Sequence, residues 1–390
     1  MSVDLRPANR VLLVFVLAGL VAALSLAFLT QAPNRLVSGV GVPLRTLLHG
    51  ANWALVLGPF ALLALAVFRQ SSVATQGLVT AAAATLLAVL VWLAGAHAKQ
   101  MADAAEAAGN SAGRTSFGGG FWVWTVLCWL AAADAVQRLK LAPLGRTLAL
   151  AAVLAPVVVL AASGELAALS LFKEYDNRQD VFDAALWRHA QIVGVTLLPT
   201  LLLGVPLGVA AHRHPRFGAP LFALLNVIQT VPSIALFGLL MAPLAALALA
   251  LPALGIGGIG LAPAVIALTL YSLLPIVQST LTGLREVPAA VVEAATGMGL
   301  TPRQVFWRVQ VPLALPLLLS GLRLTTVQAI GLAVVAALIG AGGLGAIMFQ
   351  GLLSSALDLV LLGVLPVVAM AVAVDALFAV LTQWAQRRQP

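Results

Sequence analysis

A few polar side chains recur at helical spacing inside long apolar stretches, and any chemistry within those stretches rests on them. Asn226, Gln229, Thr230 and Ser233 fall at i, i+3, i+4 and i+7, one face of a helix that Pro232 invites to kink. Ser272, Gln278, Ser279 and Thr282 fall on or near one face of another that carries Pro275, and Thr325 and Gln328 stand three apart in a third. Amides and hydroxyls of this kind can hydrogen-bond a passing solute or one another, whereas facing lipid they are costly. Two roles therefore stay open: a polar lining for a solute path, and interhelical bonds that only hold a bundle together. No carboxylate joins the stripes. Asp134, Asp358 and Asp375 are expected toward helix ends, where a charge costs far less than the roughly 2.5–3.5 kcal/mol of a helix centre. Arg323 is expected to snorkel toward an interface, a structural partner within the bundle being the alternative.

The segment from Arg285 to Val311 is too polar to cross a membrane, yet it is organised as helix rather than linker. Pro288 can open a short helix whose apolar face would include Val291, Ala294 and Ala295, and Gly297 and Gly299 can close it. Thr301-Pro302-Arg303-Gln304 then has the form of a capping box, with a Thr N-cap, Pro at the first helical position and Gln three residues after the cap. Two short helices meeting at a glycine corner make a docking knob.

Other chemistries lack their parts. Gly340, Gly342 and Gly345 satisfy G-x-G-x-x-G but sit in no strand–helix unit; with Gly343 they suit a tight outside turn or a close helix contact near an external gate. No Walker A sequence occurs, the five histidines have no zinc spacing with Cys or acids, and Ser163 has no histidine placed to activate it. Cys128 lies within an apolar run and is the single cysteine, so no internal disulfide is possible.

The elements that position these residues follow from composition. Apolar residues make up 62% of the chain and charged ones 9%, against about 25% in an ordinary soluble domain. Apolar runs of about twenty residues match the helix length that spans roughly 30 Å of hydrocarbon, where each backbone polar group must be paired within its own segment. Helices rather than strands are expected, at about residues 11–31, 51–68, 76–97, 119–136, 146–166, 190–211, 217–245, 259–283, 313–338 and 355–384. The first follows Arg6 and Arg10 as a signal peptide would, but its apolar stretch is long for one and Thr30-Gln31-Ala32 is a poor cleavage site, so it is expected to be retained.

About ten spans put both termini on one side. With the amino terminus inside, Arg6, Arg10, Arg69, Arg138, Lys140, Arg146, Arg213, Arg216, Arg285, Arg303, Arg308, Arg387 and Arg388 face the cytoplasm, against Arg35, Arg45, Lys99, Arg114, Lys173, Arg178 and Arg188 outside. Thirteen against seven favours cytoplasmic termini, and the net charge of +8 is topological rather than a nucleic-acid footprint, since no basic patch interleaved with aromatics exists. The chain is expected to divide near residue 188, giving an accessory membrane region over 1–187 that ends in an outside loop over 173–180, and a core over 188–384 whose cytoplasmic loop is 285–311. Neither half reads as an inverted copy of the other, which disfavours a secondary transporter.

Glu293-Ala294-Ala295, three residues, Gly299, nine residues and Val309-Gln310-Val311-Pro312 resemble the EAA loop of importer permeases in the ATP-binding cassette superfamily, with Val in place of Ile and Leu. The resemblance covers about residues 188–384. It implies an all-α integral membrane protein whose C-terminal five helices form a type I ABC importer (MetI-like) permease core. It also implies a loop that docks on a cytoplasmic ATPase dimer: Glu293 in polar contact, Ala294 and Ala295 allowing close approach, Gly299 as corner and Pro312 closing the pattern. Within the core, Gln229-Thr230-Val231-Pro232-Ser233, Tyr271-Ser272-Leu273-Leu274-Pro275 and Ile339-Gly340-Ala341-Gly342-Gly343-Leu344-Gly345 look like permeases for glycine betaine, choline and carnitine.

The implied protein is not an enzyme. ATP and Mg belong to the partner ATPase, with no cofactor on this chain, and the chain lies in the lipid bilayer of a bacterial inner membrane. A quaternary amine would be selected by an aromatic cage on a separate extracytoplasmic substrate-binding protein, since this chain has only two tyrosines. A second permease subunit, the same or homologous, is implied. The rival expectations are another cargo such as an amino acid, an ion-coupled secondary transporter and, more remotely, an intramembrane enzyme.

Overall fold

Alanine, leucine and valine fill the apolar runs, and in the computed structural model, which describes residues 7–34, 37, 39–110, 112–254 and 256–387, these runs are α-helices. Arg6, Arg35 and Arg388 lie outside the described residues. Eight helices are long and apolar enough to cross a membrane; Arg10–Ser25, Asn52–Ala66 and Leu344–Leu353 are apolar but shorter, so the count is consistent with about ten spans. The chain divides into two compact units, Met1–Asn177 and Arg178–Pro390.

The first unit contains α1 (Arg10–Ser25), α2 (Asn52–Ala66), α3 (Val73–Ala107), α4 (Gly119–Arg138), α5 (Pro143–Ala162) and α6 (Ser170–Asp176), with strands β1 (Ala27–Ala32), β2 (Val40–Pro43) and β3 (Arg114–Phe117). The small side chains along α3, among them Ala82, Ala83, Ala94 and Gly95, let its neighbours approach closely, and Leu86, Leu87 and Leu90 fill the core beside them. The strands form an antiparallel sheet in the order β2-β1-β3, with Leu29 opposite Phe117. They correct the helical expectation for residues 11–31, where the helix stops at Ser25 and the chain continues as β1. Phe28 and Leu29 are 1% and 0% exposed, and Phe117 stacks on Phe121 with centroids 3.9 Å apart. Such burial outweighs local helix preference. A Cβ on Gly118 would lie 2.4 Å from the Ala27 carbonyl oxygen, so only glycine turns β3 into α4 at this separation.

The second unit contains α7 (Gln179–Arg213), α8 (Pro215–Thr230), α9 (Ser233–Ala250), α10 (Leu261–Arg285), α11 (Ala289–Gly297), α12 (Pro302–Val305), α13 (Val311–Val335), α14 (Leu344–Leu353) and α15 (Leu357–Arg387). Its centre is α10, held against α7 and α13 by glycines. A Cβ on Gly208 would lie 2.5 Å from Thr280 Cβ, and one on Gly321 would lie 2.0 Å from Ser279 Oγ. Helices in lipid gain little from apolar burial against one another and associate through such close contacts.

Four expectations are corrected here. The boundary near 188 falls inside α7, which starts at Gln179, and the stretch 173–180 holds most of α6 and the start of α7 rather than a loop. The single helix over 217–245 is two. Pro232 has no N–H to continue the ladder, and its ring pushes Val231 to an extended conformation, φ −70° and ψ 127°. The second short helix after Gly299 is not separate. From α12 the chain passes through a π-helical turn, Phe306–Gln310, directly into α13.

Candidate functional site

The Glu293 loop is built by local rules. Pro288 is the N-cap of α11, and the helix ends where Gly299 takes φ +86°. There the Gly299 N–H donates to the Thr296 carbonyl at 2.9 Å and the Leu300 N–H to the Ala295 carbonyl at 3.3 Å, the two bonds of a Schellman closure. Across the corner Thr301 Oγ1 accepts from the Gln304 N–H at 3.4 Å while Gln304 Oε1 accepts from the Thr301 N–H at 2.9 Å, a closed capping box. Of the expected apolar face Ala295 is buried, at 2%, whereas Val291 is 40% exposed and Ala294 is exposed. Glu293 is exposed beside them, and Met298 at the corner is 74% exposed. Behind the loop a cavity of about 810 Å³ lies among Arg213, Val292, Thr296, Arg303, Phe306 and Trp307. The Arg213 guanidinium sits 4.9 Å from the Phe306 ring centroid, joining the end of α7 to the π turn. Pro312 is exposed in the first turn of α13.

The polar stripes separate into two sets. Asn226, Thr230, Gln278 and Thr282 are exposed on the outside of this unit, whereas Ser272 and Thr325 are 1% and 0% exposed. Ser279, half-buried, packs on Gly321, and Gln328 is half-buried on α13. The hydroxyls of Ser272 and Thr325 are buried without a hydrogen-bond partner, as is that of Thr269, a position the sequence reading missed. Gln229 instead holds α8 to α10: its Nε2 donates to the Tyr271 carbonyl at 2.9 Å, and the Tyr271 hydroxyl donates to the Val231 carbonyl at the helix break. Ser233 is half-buried at the start of α9 and Pro232 is its exposed N-cap, so Ser233 does not continue the helical face of Asn226, Gln229 and Thr230.

Gly340, Gly342 and Gly343 take φ of +78°, +81° and +81°, making the tight turn before α14. Gly345 is needed for closeness, since a Cβ there would lie 2.1 Å from the Val334 carbonyl oxygen. Arg188 on α7 donates from Nε to the Ala341 carbonyl at 3.0 Å, and fully buried His189 places Nε2 3.1 Å from the Ile330 carbonyl oxygen. No sequence signal joined these residues to the glycines, because contacts between distant segments leave no spacing pattern.

Arg323 does not snorkel. Its Nε and Nη2 donate to Asp375 Oδ1 and Oδ2 at 2.5 and 2.6 Å, a bidentate pair between α13 and α15. Asp375 lies in the body of α15, which corrects its expected placement toward a helix end. Asp358 does stand in the first turn of α15, and Asp134 near the end of α4 pairs with Arg138 at 2.8 Å.

Residues 9–172 match a family model described as the N-terminal domain of the ABC transporter permease YehY, and residues 200–388 match one described as the binding-protein-dependent transport system inner membrane component. The chain is similar to the osmoprotectant import permease protein OsmW of Salmonella typhimurium, 40% identical over 190 residues that span 48% of this chain and 84% of that one. It is also similar to the choline transport system permease protein OpuBB of Bacillus subtilis, 36% identical over 50% of this chain and 83% of that one. A chain of the inward-facing MetNI methionine ABC transporter aligns with a TM-score of 0.46 at 23% identity, over 53% of this chain and 97% of that one.

Proposed function

Since the chain belongs to the family of binding-protein-dependent ABC importer permeases, we propose that it carries a small quaternary-ammonium osmoprotectant, glycine betaine or a related compound, across the bacterial inner membrane. Members of this family are multi-pass membrane permease subunits and not enzymes; an ATPase subunit and a substrate-binding protein complete the importer. The observation that carries the reading is the exposed α11 corner, with Glu293, Ala294 and Gly299 presented outward on a rigid double-capped support. Exposed small and acidic side chains on such a support are suited to docking a partner.

In this reading α11 seats in a cytoplasmic ATPase dimer that holds ATP and Mg, with Glu293 in polar contact and Ala295 packed inward. Pro312 starts α13 behind it, so closure of the dimer is transmitted along the continuous helix from α12 to α13. Both termini are cytoplasmic. The substrate-binding protein docks on the opposite face near the glycine turn of Gly340, Gly342 and Gly343, and a second permease subunit completes the path. Among the buried stripe residues, Ser272 and Thr325 carry hydroxyls whose hydrogen-bonding capacity is left for water or solute. Support for the substrate class comes from the osmoprotectant, choline and carnitine permeases to which the chain is similar.

The test is uptake of labelled glycine betaine by the complex reconstituted in vesicles with its ATPase and binding protein. Uptake is expected to require ATP and to persist when ion gradients are collapsed. Uptake that continues without ATP and stops with the gradient would overturn the proposal.

A further inference from the structure

The first unit contains a cavity that the transport reading does not use. It measures about 350 Å³ and lies among the C-terminal part of α3, the three strands and α6, with half-buried Val42 and Met101 as an aliphatic wall, the exposed Val40 at its mouth, and Gln31, Arg114 and Lys173 as its polar side. Arg114 begins β3 opposite Ala32 of β1. Its Nε is buried without a hydrogen-bond partner, and its Nη1 reaches only the adjacent Gly113 carbonyl at 3.4 Å. Lys173 projects from α6; burial and the nearby Arg114 charge push its ammonium below the ordinary lysine value. Neither cation forms an ion pair with a carboxylate among the described residues. Asp103 and Glu106 on α3, and Glu174 and Asp176 on α6, flank the cavity in sequence but do not line it. Asn110 shapes the wall and is already engaged, its Nδ2 donating to the Pro33 carbonyl and its Oδ1 accepting from the Ala112 N–H.

Two like charges gathered in one partly desolvated cavity are unfavourable until an anion joins them. The guanidinium fork fits the two oxygens of a carboxylate, and the ammonium adds a point charge beside it. We infer that this cavity is a binding site for a small aliphatic carboxylate, whose charged end meets Arg114 and Lys173 and whose alkyl body lies on Val42 and Met101. No aromatic ring lines it, so a quaternary ammonium without a carboxylate finds neither a cation–π face nor a counter-charge.

The experiment titrates the purified full chain with butyrate, inorganic phosphate and choline, read by calorimetry and by melting temperature. Butyrate is expected to bind and raise the melting temperature, and choline to do neither. Arg114→Gln and Lys173→Met each weaken butyrate binding at least tenfold. Without ligand, Lys173→Met melts no lower than the parent, because removing one of two like charges relieves their repulsion; this separates a binding role from a structural one and stands even if Arg114→Gln fails to fold. Absence of butyrate binding, or equal affinity in Lys173→Met, overturns the inference. Phosphate binding in preference to butyrate overturns it too, assigning the cavity to phosphate or a lipid headgroup.

Discussion

Replacing Gly299 by valine tests the proposed role of the α11 corner in coupling. The residue sits at φ +86°, and a Cβ added there meets nothing within 4 Å, so crowding adds nothing and the cost lies in the backbone alone. For an L residue the left-handed conformation costs about 1–2 kcal/mol, and a β-branched side chain is at or above the upper end. With about 1.4 kcal/mol per factor of ten, the native corner loses roughly fivefold to thirtyfold in relative population. A corner that relaxes to negative φ loses the two closing bonds to Ala295 and Thr296 and turns α11 away from α12. Gly299→Val is therefore expected to insert and purify normally but to lose fivefold or more of substrate-stimulated ATP hydrolysis in the reconstituted complex, with weaker co-purification of the ATPase. Gly299→Asn, which tolerates positive φ, stays near the parent. Glu293→Ala is milder, since it removes one exposed side chain proposed to contact the ATPase and leaves the corner intact. If Gly299→Val keeps parental coupling and co-purification, the corner is not the coupling element.

Two further outcomes follow from the second unit. The Arg323–Asp375 side chains are 42% and 48% exposed in the single chain, so the coupling measured by a double-mutant cycle is expected at about 1 kcal/mol or less rather than the larger value of a buried pair. Arg323→Met and Asp375→Leu alone each lower the melting temperature, the double variant recovers part of the loss, and additive single effects would refute the pairing. Thr325→Val removes a buried hydroxyl that has no partner, so thermal stability is expected to hold or rise. Betaine uptake by this variant falls about fivefold, the equivalent of one hydrogen bond of about 1 kcal/mol; unchanged uptake would remove Thr325 from the path.

Where the sequence was informative, the determinants were local. The Thr301 capping box, the Pro288 start and the Gly299 corner each depend on residues within a few positions, and each stands in the structure. The break at Pro232 was equally local, but the helical spacing of Ser233 with Gln229 outweighed it in the reading although the chain cannot continue the ladder there. Strand β1 was hidden because Ala27–Ala32 continues an apolar run, and its pairing with Val40–Pro43 and Arg114–Phe117 depends on distant segments. The Arg323–Asp375 pair was hidden for the same reason. An arginine in an apolar helix signals that a partner or water is needed, but not which residue answers.

The distribution of hydrogen bonds in the second unit bears on how its helices move. Thr196, Thr200, Thr280, Thr326 and Ser320 each return their hydroxyl to a carbonyl four residues back on their own helix, at 2.7–3.0 Å. These polar groups are satisfied without tying α7, α10 or α13 to a neighbour, and the contacts there depend on shape, with Gly204 against Ile276, Gly208 against Thr280 and Gly283 against Ala314. Packing of this kind can slide without breaking a hydrogen bond. Directional cross-links stand elsewhere: Gln229 and Tyr271 tie α8 to α10, Arg188 and His189 hold the glycine turn and α13 to α7, and Arg323 fixes α13 to α15. If α11 is the coupling element proposed above, movement driven from it meets least resistance along the faces of α10 that pack on glycines or carry one, while the cross-linked pairs travel as bodies.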